Sequence, residues 1–243
     1  MNRDLSFHEI ALGIVTPMAN ERETAVRFVR EVIDRCRPYA FRSLRLFVVF
    51  DRTCRDGTRE LLIEAAIPEV EIVDAPENRC VVDAYLRGYR QALAGGCDWI
   101  LEIDAGFSHD PAEIPSFLAA MRQGHECVFG VRFGPGGGGF SGPWRRRLIS
   151  LGGTWLANLV LGTRMADMTS GYEFFSRGAL EKILAWGIES RGPFFQTEIR
   201  AFAHGLDHAT VPITYRAPSH QIGGTVLAES LKSLWRLRQR RVW

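Results

Sequence analysis

Short apolar runs alternate along the chain with segments in which apolar residues recur every three or four positions. The first pattern is typical of buried strands and the second of amphipathic helices. Strands are expected in ALGIVTPM, LRLFVVF, VEIVDA, WILEID and CVFGVRF, and helices in the intervening ranges 21–36, 57–66, 81–94 and 111–122. This alternation predicts repeated βαβ units and therefore an α/β fold with a mostly parallel central sheet.

Polar residues mark two of the expected helix starts. Asn20 followed by Glu23, and Asp110-Pro111 followed by Glu113, both match an N-cap with an acid three residues later. After Phe133 the pattern changes to GPGGGGFSGPW, which predicts a glycine-rich loop without regular structure. Beyond this loop we expect helices near 144–161, 178–186 and 195–204 and a strand in ATVPITYR.

The end of the chain, 225–243, has the pattern of a basic amphipathic helix. It carries five basic residues and one acid, interleaved with leucine and tryptophan. Such a helix adsorbs to an anionic membrane surface, where each Lys or Arg contributes about 1 kcal/mol. The alternative is a packed terminal helix with a solvated basic face. We therefore divide the chain into one domain over 1–224 and a possible membrane-contacting helix over 225–243.

Composition limits the class of protein and its compartment. A net charge of only +2 gives no support for nucleic-acid binding. The five cysteines are odd in number and form no C-x-x-C pair, which suits a reducing compartment. The amino-terminal residues lack a signal-peptide layout, and no run of about 18 apolar residues occurs. These features predict a cytoplasmic protein that is at most peripheral to a membrane.

Three common cofactor sites are disfavoured by the motifs. The first strand runs into TPMANE rather than the G-x-G-x-x-G of a dinucleotide site. The segment GPGGGG lacks the Lys-Ser/Thr of a phosphate-binding Walker loop. His204 and His208 have helical spacing, but Gly205 and a predicted strand interrupt the helix, so zinc is disfavoured.

Acidic residues follow the carboxyl ends of several predicted strands, where open parallel sheets bind their ligands. They are Glu21, Asp51, Asp56, Asp74 and Asp104. Any one of them could equally be a helix cap or turn former. Asp104 differs from the others because Ala105-Gly106-Phe107 intervene before the next helix, whose cap is already supplied by Asp110. Asp104 is therefore the strongest candidate for a catalytic or ligand-binding residue.

Six segments, in order, resemble those of family 2 glycosyltransferases, and most closely the dolichol- or polyprenol-phosphate mannosyltransferases. They are TPMANERE, FDRTCRDGT, LEIDAGFSHDPAEIP, GVRF with the loop before WRRRLIS, DMTSGYEFFSR, and FFQTEIRAFAHGLDHATVPITYR. The resemblance covers about residues 11–216. It implies a GT-A (Rossmann-like) fold with helices on both faces of the sheet. It also implies inverting transfer of a sugar from a nucleotide-sugar, such as GDP-mannose or a UDP-sugar, to a polyprenyl or dolichyl phosphate.

The resemblance also implies roles for individual residues. On the donor side, Asp51 would bond the base, Asp104 would face the diphosphate and its metal, and the remaining positions are Pro17, Asn20, Glu21, Asp83 and Arg216. The acceptor phosphate would be held by Arg132 with Arg146 or Arg147. Asp167 is a second catalytic candidate that could orient the acceptor or an arginine. Each of these roles has a structural alternative. Asp83 could be a surface acid of a helix, and Asp167 could form a turn. The arginines at 145–147 could be the solvated start of a helix.

Two departures from the family pattern affect the metal and the diphosphate. The family usually has Asp-x-Asp where this chain has Asp104-Ala105-Gly106. Because Mg²⁺ is often held by one or two carboxylates with substrate phosphates and water, we still expect Mg²⁺ or Mn²⁺, weakly held without donor. The later R-x-x-G-x-S-K pattern is replaced by YRAPSHQIGGT, in which Arg216, Ser219 or His220 could substitute.

Three functions remain open from the sequence. A phosphate monoester is already anionic at neutral pH, so a lipid-phosphate acceptor needs no general base. A soluble hydroxyl acceptor would need one, with Asp167 as the first candidate. Loss of the second aspartate and of the clamp would also suit a nucleotide-sugar-binding protein without catalysis. The sugar, the base and the oligomeric state are not determined.

Overall fold

A seven-stranded sheet lies at the centre of the computed structural model, which describes residues 6–133, 138–216 and 224–240. The strands are β1 Ala11–Met18, β2 Ser43–Phe50, β3 Val70–Asp74, β4 Trp99–Glu102, β5 Cys127–Val131, β6 Gly139–Ser141, β7 Glu173–Ser176, β8 His208–Pro212 and β9 Thr214–Arg216. The sheet has the order β3-β2-β1-β4-β7-β5-β8, and β6 pairs with β9 in a separate two-stranded sheet.

The α-helices occupy the positions that the periodicity predicts, within a few residues. They are α1 Ala25–Cys36, α2 Thr58–Glu64, α3 Val81–Ala94, α4 Ile114–Arg122, α5 Trp144–Leu161, α6 Arg177–Ala185, α7 Phe195–Ala203 and α8 Gly224–Arg240. Short 3₁₀ turns at Phe7–Glu9, Arg37–Tyr39 and Pro111–Glu113 complete the described part. Asp110 caps the last of these turns by accepting from the Ala112 amide at 2.9 Å.

The sheet is mostly parallel, with one antiparallel strand. Strands β1 to β4 are joined by parallel pairings, β3 to β2, β2 to β1 and β1 to β4. Strand β7 then pairs antiparallel with both β4 and β5, and β8 returns parallel to β5. The carboxyl ends of β1, β2 and β4 therefore meet at one edge, the place where a doubly wound sheet binds ligands.

Two local predictions are wrong. Asn20 does not cap the first helix, because α1 begins at Ala25 and Thr24 takes the cap position. The glycine-rich segment is not wholly irregular, since Gly139–Ser141 forms β6 by pairing with β9. Residues 134–137 of that segment lie outside the described residues.

Side chains alternate between two apolar cores, one on each face of the sheet. Val15 and Val49 belong to the core beneath α3, whereas Ile14 and Val48 belong to the core beneath α1 and α4. Helix α3 lies so close to β1 that a Cβ atom on Gly88 would come within 2.3 Å of Val15 Cγ1. Glycine at this position therefore sets the distance between α3 and the sheet.

Helix α8 is attached to the body of the protein by its last turns. Leu234 and Leu237 are buried in the core that contains α3. The Arg240 guanidinium donates to the Gly187 carbonyl at 2.9 Å and to Glu198 Oε1 at 3.1 Å. These contacts fix the end of α8 against α7 and the residues after α6, and α8 also lies alongside α5.

Candidate functional site

A cleft of about 590 Å³ lies beyond the carboxyl end of β4, between α5 and α8. Asp104, Arg132 and Arg146 line it and supply its charges. Its walls are largely apolar and include Ile149, Leu156, Leu227, Leu231 and Leu234 from the two helices. The cleft thus joins a charged end to an apolar trough.

Asp104 stands two residues after β4, on a loop with unusual backbone geometry. Gly106 and Phe107 both have positive φ, +71° and +61°, in the left-handed region that costs energy for a residue such as Phe. Phe107 is held there by an edge contact with Phe28 at 5.3 Å and by the Arg27 guanidinium at 4.6 Å. This turn leaves the Asp104 carboxylate at the cleft with 37% of the side chain exposed.

Two aromatic residues contact the Asp104 carboxylate. The Tyr85 hydroxyl donates to Oδ1, and His109 Nδ1 lies 3.6 Å from Oδ2. His109 is fully buried between Tyr172 and Tyr215, and neither ring nitrogen has a hydrogen-bond partner among the described residues. Burial lowers the pKa of His109 to about 4, against the opposing effect of Asp104. His109 is therefore neutral at pH 7.

Arg132 and Asp167 form a buried ion pair beside the cleft. Arg132 Nε donates to Asp167 Oδ2 and Nη2 to Oδ1, each at 2.9 Å, and both residues are at most 5% exposed. Asp167 also accepts from the Thr169 amide at 3.0 Å. Burial raises the pKa of Asp167, but the bonds and charge of Arg132 outweigh it and bring the pKa down to about 2. Asp167 is thus a fixed anion that both forms a turn and holds Arg132.

A second buried network lies directly behind these residues. Arg200 is fully buried; it donates to Glu173 Oε1 at 2.7 Å, to the Gly130 carbonyl at 3.1 Å and to the Asp167 carbonyl. Glu102 accepts from the Tyr89 hydroxyl and, at 2.5 Å, from Gln196 Nε2. Burial raises the pKa of Glu173 to about 7, and it raises that of Glu102 well above its ordinary range.

The predicted acceptor arginines differ in position. Arg146 lines the cleft; its Nη2 donates to the Tyr215 hydroxyl at 3.4 Å, and its guanidinium lies 5.8 Å from that ring. Arg147 is exposed and lies 6.0 Å from the Phe133 ring, outside the cleft lining. Arg145 is exposed beside Trp144, at 5.6 Å. The structure therefore brings Arg146, rather than its neighbours, next to Arg132 and Asp104.

The loops after β1 and β2, which carry several of the predicted donor residues, are bonded to each other. Asn20 Nδ2 donates to the Thr53 carbonyl at 3.2 Å, and Asn20 Oδ1 accepts from the Arg55 amide at 3.0 Å. Asp51 Oδ1 accepts from the Thr53 amide at 2.8 Å. Pro17 pairs in register with Val49, near the ends of the two strands. Asn20 therefore bridges the two loops and does not act as a cap.

The other predicted residues lie outside the lining of the cleft. Asp83 pairs with Arg191 and accepts from the Arg79 amide at 3.1 Å, the behaviour of a structural helical acid. Arg216 reaches Asp110 Oδ2 at 3.3 Å and is exposed. Asp74 pairs with Arg59, and Asp56 accepts from Thr58 and the Arg22 amide. Ser219 and His220 lie outside the described residues.

Few residues at this edge of the sheet could bind a metal ion. Within 6–133, 138–216 and 224–240, no group of three or more His, Cys, Asp or Glu is placed to hold a metal ion. The partly exposed carboxylate of Asp104 nevertheless suits a hard divalent cation that also takes oxygen ligands from a bound diphosphate and water.

Comparison with known proteins gives a family and two similar relatives. The family model described as "Glycosyl transferase family 2" matches residues 13–184. The polyprenol monophosphomannose synthase of Mycolicibacterium smegmatis is 32% identical over 207 residues, which cover 83% of this chain and 76% of the relative. The undecaprenyl-phosphate mannosyltransferase of Micrococcus luteus is 30% identical over 196 residues, covering 78% and 80%.

Solved structures give the same architecture. Glucosyl-3-phosphoglycerate synthase from Mycobacterium tuberculosis, in complex with Mn²⁺, UDP and glucosyl-3-phosphoglycerate, has a TM-score of 0.66 to this chain at 19% identity. The match covers 95% of this chain and 80% of that structure. Together with the seven-stranded sheet, it confirms the predicted α/β fold of the GT-A type. Among the described helices, none is both long and apolar enough to cross a membrane.

Proposed function

Because the chain belongs to glycosyltransferase family 2, we propose that it transfers a sugar, with inversion, from a nucleotide-sugar such as GDP-mannose or a UDP-sugar to a polyprenyl phosphate. The names of the two relatives, both enzymes of polyprenyl-phosphate mannose synthesis, support this choice of acceptor.

The observation that carries the proposal is that the cleft combines charged residues with a largely apolar wall. Asp104, Arg132 and Arg146 supply its charges, and leucine and isoleucine side chains of α5 and α8 form much of its apolar wall. A lipid phosphate has the matching shape, with an anionic head and an apolar chain. Arginines bind phosphate through directed hydrogen bonds, and burial of isoprenoid carbons in the trough is favourable at about 25 cal/mol per Å².

Arg132 is the better preorganised of the two cleft arginines. Asp167 and Thr169 engage its Nε and Nη2, and none of these bonds uses Nη1. The guanidinium also lies over the rings of Phe133 and Tyr215, at 5.0 and 5.4 Å. A cation held this rigidly costs little reorganisation when an anion binds. In this proposal Asp167 is a positioning residue for Arg132.

The reaction needs positioning more than proton transfer. The acceptor phosphate is already anionic at neutral pH, so one of its oxygens can attack the sugar's anomeric carbon while the bond to the nucleoside diphosphate breaks. Asp104 would face the diphosphate and hold Mg²⁺ or Mn²⁺, which when bound would offset charge on the leaving diphosphate. Arg132 and Arg146 hold the attacking phosphate in place.

The low pKa of Asp167 argues against a soluble hydroxyl compound as the acceptor. That reaction needs a general base, and an efficient base has a pKa near the working pH. Asp167 instead has a pKa of about 2 and both of its oxygens engaged by Arg132. It therefore has little tendency to take a proton at pH 7.

We further propose that α5 and α8 lie on an anionic membrane surface at its cytoplasmic side. Large apolar side chains are exposed along both helices: Trp144, Leu148, Ile149, Leu151, Trp155, Leu159, Leu227, Leu231 and Trp235. We call them the α5–α8 surface. Basic residues flank it, and the cleft opens between the same two helices. This arrangement would let a lipid acceptor enter from the bilayer without leaving it.

The test is a transfer assay with purified protein, polyprenyl phosphate in detergent, and GDP- and UDP-sugars with Mg²⁺ or Mn²⁺. We expect a glycosylated lipid phosphate from one donor class, and a fall of roughly 100-fold in turnover for Arg146→Ala. Arg145→Ala is the matched control, because Arg145 lies outside the cleft.

Other outcomes would contradict the proposal. Transfer to soluble hydroxyl compounds but not to polyprenyl phosphate would reassign the acceptor. Donor binding without product for any acceptor would instead favour a binding protein.

A further inference from the structure

The space beside Gly106 is already filled by a carboxylate from another loop. A Cβ atom built on Gly106 would lie 2.9 Å from Glu21 Oε2 and 3.1 Å from Oε1. Gly106 is two residues after Asp104, so a side chain at this position would begin where the Glu21 carboxylate stands. The missing second acid of the Asp104-Ala105-Gly106 segment and the position of Glu21 are therefore linked.

The position of Glu21 is set by the start of α1. The Glu21 amide donates to Thr58 Oγ1 at 2.9 Å, and its carbonyl accepts from the amides of Thr24 and Ala25. The Thr24 hydroxyl donates to Glu21 Oε2 at 3.0 Å. None of these bonds uses Oε1. Glu21 is thus directed at the Asp104 loop with one carboxylate oxygen available to a ligand.

We propose that Glu21 supplies the carboxylate that Gly106 lacks, so that Glu21 and Asp104 face one divalent cation from two loops. The inference rests on the proposed function, since the donor's diphosphate supplies further oxygens. Mg²⁺ and Mn²⁺ prefer such oxygen donors, and one or two carboxylates with phosphates and water suffice for Mg²⁺.

Electrostatics favours a cation over direct contact between Glu21 and the donor's diphosphate. The carboxylate and the diphosphate carry the same sign of charge and repel each other at short range. A divalent ion between them changes this repulsion into attraction. Glu21 should therefore favour nucleotide binding only when metal is present.

This difference gives a direct test by calorimetry. GDP and UDP are titrated into wild type and Glu21→Gln, in EDTA and in Mn²⁺, and Mn²⁺ is titrated with the bound nucleotide present. We expect the variant to bind Mn²⁺ at least about tenfold more weakly, because one ligand charge is lost. Its affinity for the nucleotide in EDTA should equal or exceed that of wild type, because the repulsion between the carboxylate and the diphosphate is removed. Glu23→Gln, on the same segment but exposed, is the matched control.

Each alternative result has a distinct meaning. Equal weakening in EDTA and in Mn²⁺ would overturn the inference and make Glu21 a nucleotide contact. Unchanged Mn²⁺ affinity in Glu21→Gln, with nucleotide binding and sugar transfer intact, would also overturn it and leave the proposed function standing. Failure of wild type to bind any nucleotide would contradict both this inference and the proposed function.

A rescue experiment moves the carboxylate back to the Asp104 loop. Gly106→Asp alone should lower the melting temperature, because its Cβ meets Glu21 and two like charges meet. Glu21→Ala with Gly106→Asp clears that space, and Asp tolerates the left-handed backbone better than most residues. We expect the double variant to bind Mn²⁺ more tightly than Glu21→Ala with Gly106→Ala. Equal, weak binding by the two double variants would contradict the inference.

Discussion

At the scale of single residues, Arg132 shows how a charge is kept in a nearly dry place. Its side chain is 4% exposed, and a buried guanidinium is costly unless it is paired and hydrogen-bonded. Asp167 meets that requirement with two side-chain bonds, and it is held in turn by the Thr169 amide. The cleft therefore has a cation whose position is fixed before any ligand arrives.

Asp167→Asn tests this pairing through stability. We expect the free energy of unfolding to fall by about 3 kcal/mol or more, because the buried Arg132 charge loses its counterion. The measurement is urea unfolding at pH 7. Asp34→Asn, which removes an exposed ion pair with Arg37, is the control and should change stability by about 1 kcal/mol or less.

The pH dependence of the same pair has a definite sign. Because the pKa of Asp167 is lowered to about 2, its contribution to stability is complete above about pH 4. It is lost as the pH falls through about 2. The difference between wild type and Asp167→Asn should therefore shrink in strong acid. A difference below about 1 kcal/mol at pH 7 would contradict the role given to this carboxylate.

The resemblance in sequence predicted several side chains that meet in space, but it could not give their partners. Asp104, Arg132 and Arg146 all line the cleft. His109 was missed as a site residue, because its burial depends on Tyr215, which is far along the chain. A neighbour so distant leaves no local pattern, so the environment of His109 is visible only in three dimensions.

At the scale of secondary-structure elements, the antiparallel strand β7 creates the polar network behind the cleft. Its pairing with β4 places Glu173 directly opposite Glu102. Both are buried. Burial, and then the charge of Glu173, raises the pKa of Glu102, whereas Glu173 is held by one cationic partner, Arg200. Two acids at one point of a sheet cannot both be ionised without cost.

Glu173→Gln should alter how stability changes with pH. The pKa of Glu173 is raised to about 7, so its contribution is complete below about pH 4.5 and is lost as the pH rises through 7. The amide does not titrate. We therefore expect the stability of the variant minus that of wild type to rise by about 1 kcal/mol or more between pH 4.5 and 8.

Urea unfolding at a series of pH values gives this difference directly. Effects of Glu113 and His109 are present in both proteins and cancel. Glu102 loses the charge of Glu173 in the variant, so its pKa falls there and adds to the same rise in the difference. Glu181→Gln, an exposed acid paired with Arg177, is the control and should follow wild type. A difference that stays level over this interval would show that Glu173 is ionised throughout.

Hydrophobic periodicity predicted the helices and the parallel strands, because each has its own local pattern. Strand β7 was not predicted as a strand, since four residues inside DMTSGYEFFSR carry too little periodicity. Strand β6 was also missed, because glycine-rich Gly139–Ser141 becomes a strand only by pairing with Thr214–Arg216. Both elements depend on partners far along the chain, and these partners are not part of the local pattern.

At the scale of the whole molecule, the net charge is small but the charged residues are unevenly distributed over the surface. The total is only +2, yet basic residues and the exposed tryptophans gather on α5 and α8. The sequence pattern predicted the amphipathic character of α8. It did not single out α5, whose exposed apolar residues were indistinguishable from core residues until its packing was known.

Vesicle co-sedimentation tests the α5–α8 surface. We expect wild type to bind vesicles that contain anionic lipid, and Lys232→Gln with Arg236→Gln to weaken binding by roughly 2 kcal/mol, about 30-fold. Arg30→Gln with Arg35→Gln, which removes the same charge from α1, is the matched control. Equal weakening by the two pairs, or tight binding to neutral vesicles alone, would contradict a specific anionic contact.

The central position of β7 also delays completion of the sheet while the chain is being synthesised. Strand β4 is complete at Glu102, but its neighbour in the sheet is complete only at Ser176, about 70 residues later. At 5–20 residues per second, a ribosome needs about 4–15 s to make that stretch. During this time one edge of β4 lacks its permanent partner, and such bare apolar edges invite pairing with other chains. We therefore expect half-made molecules of this protein to need protection by the chaperones that bind emerging polypeptides.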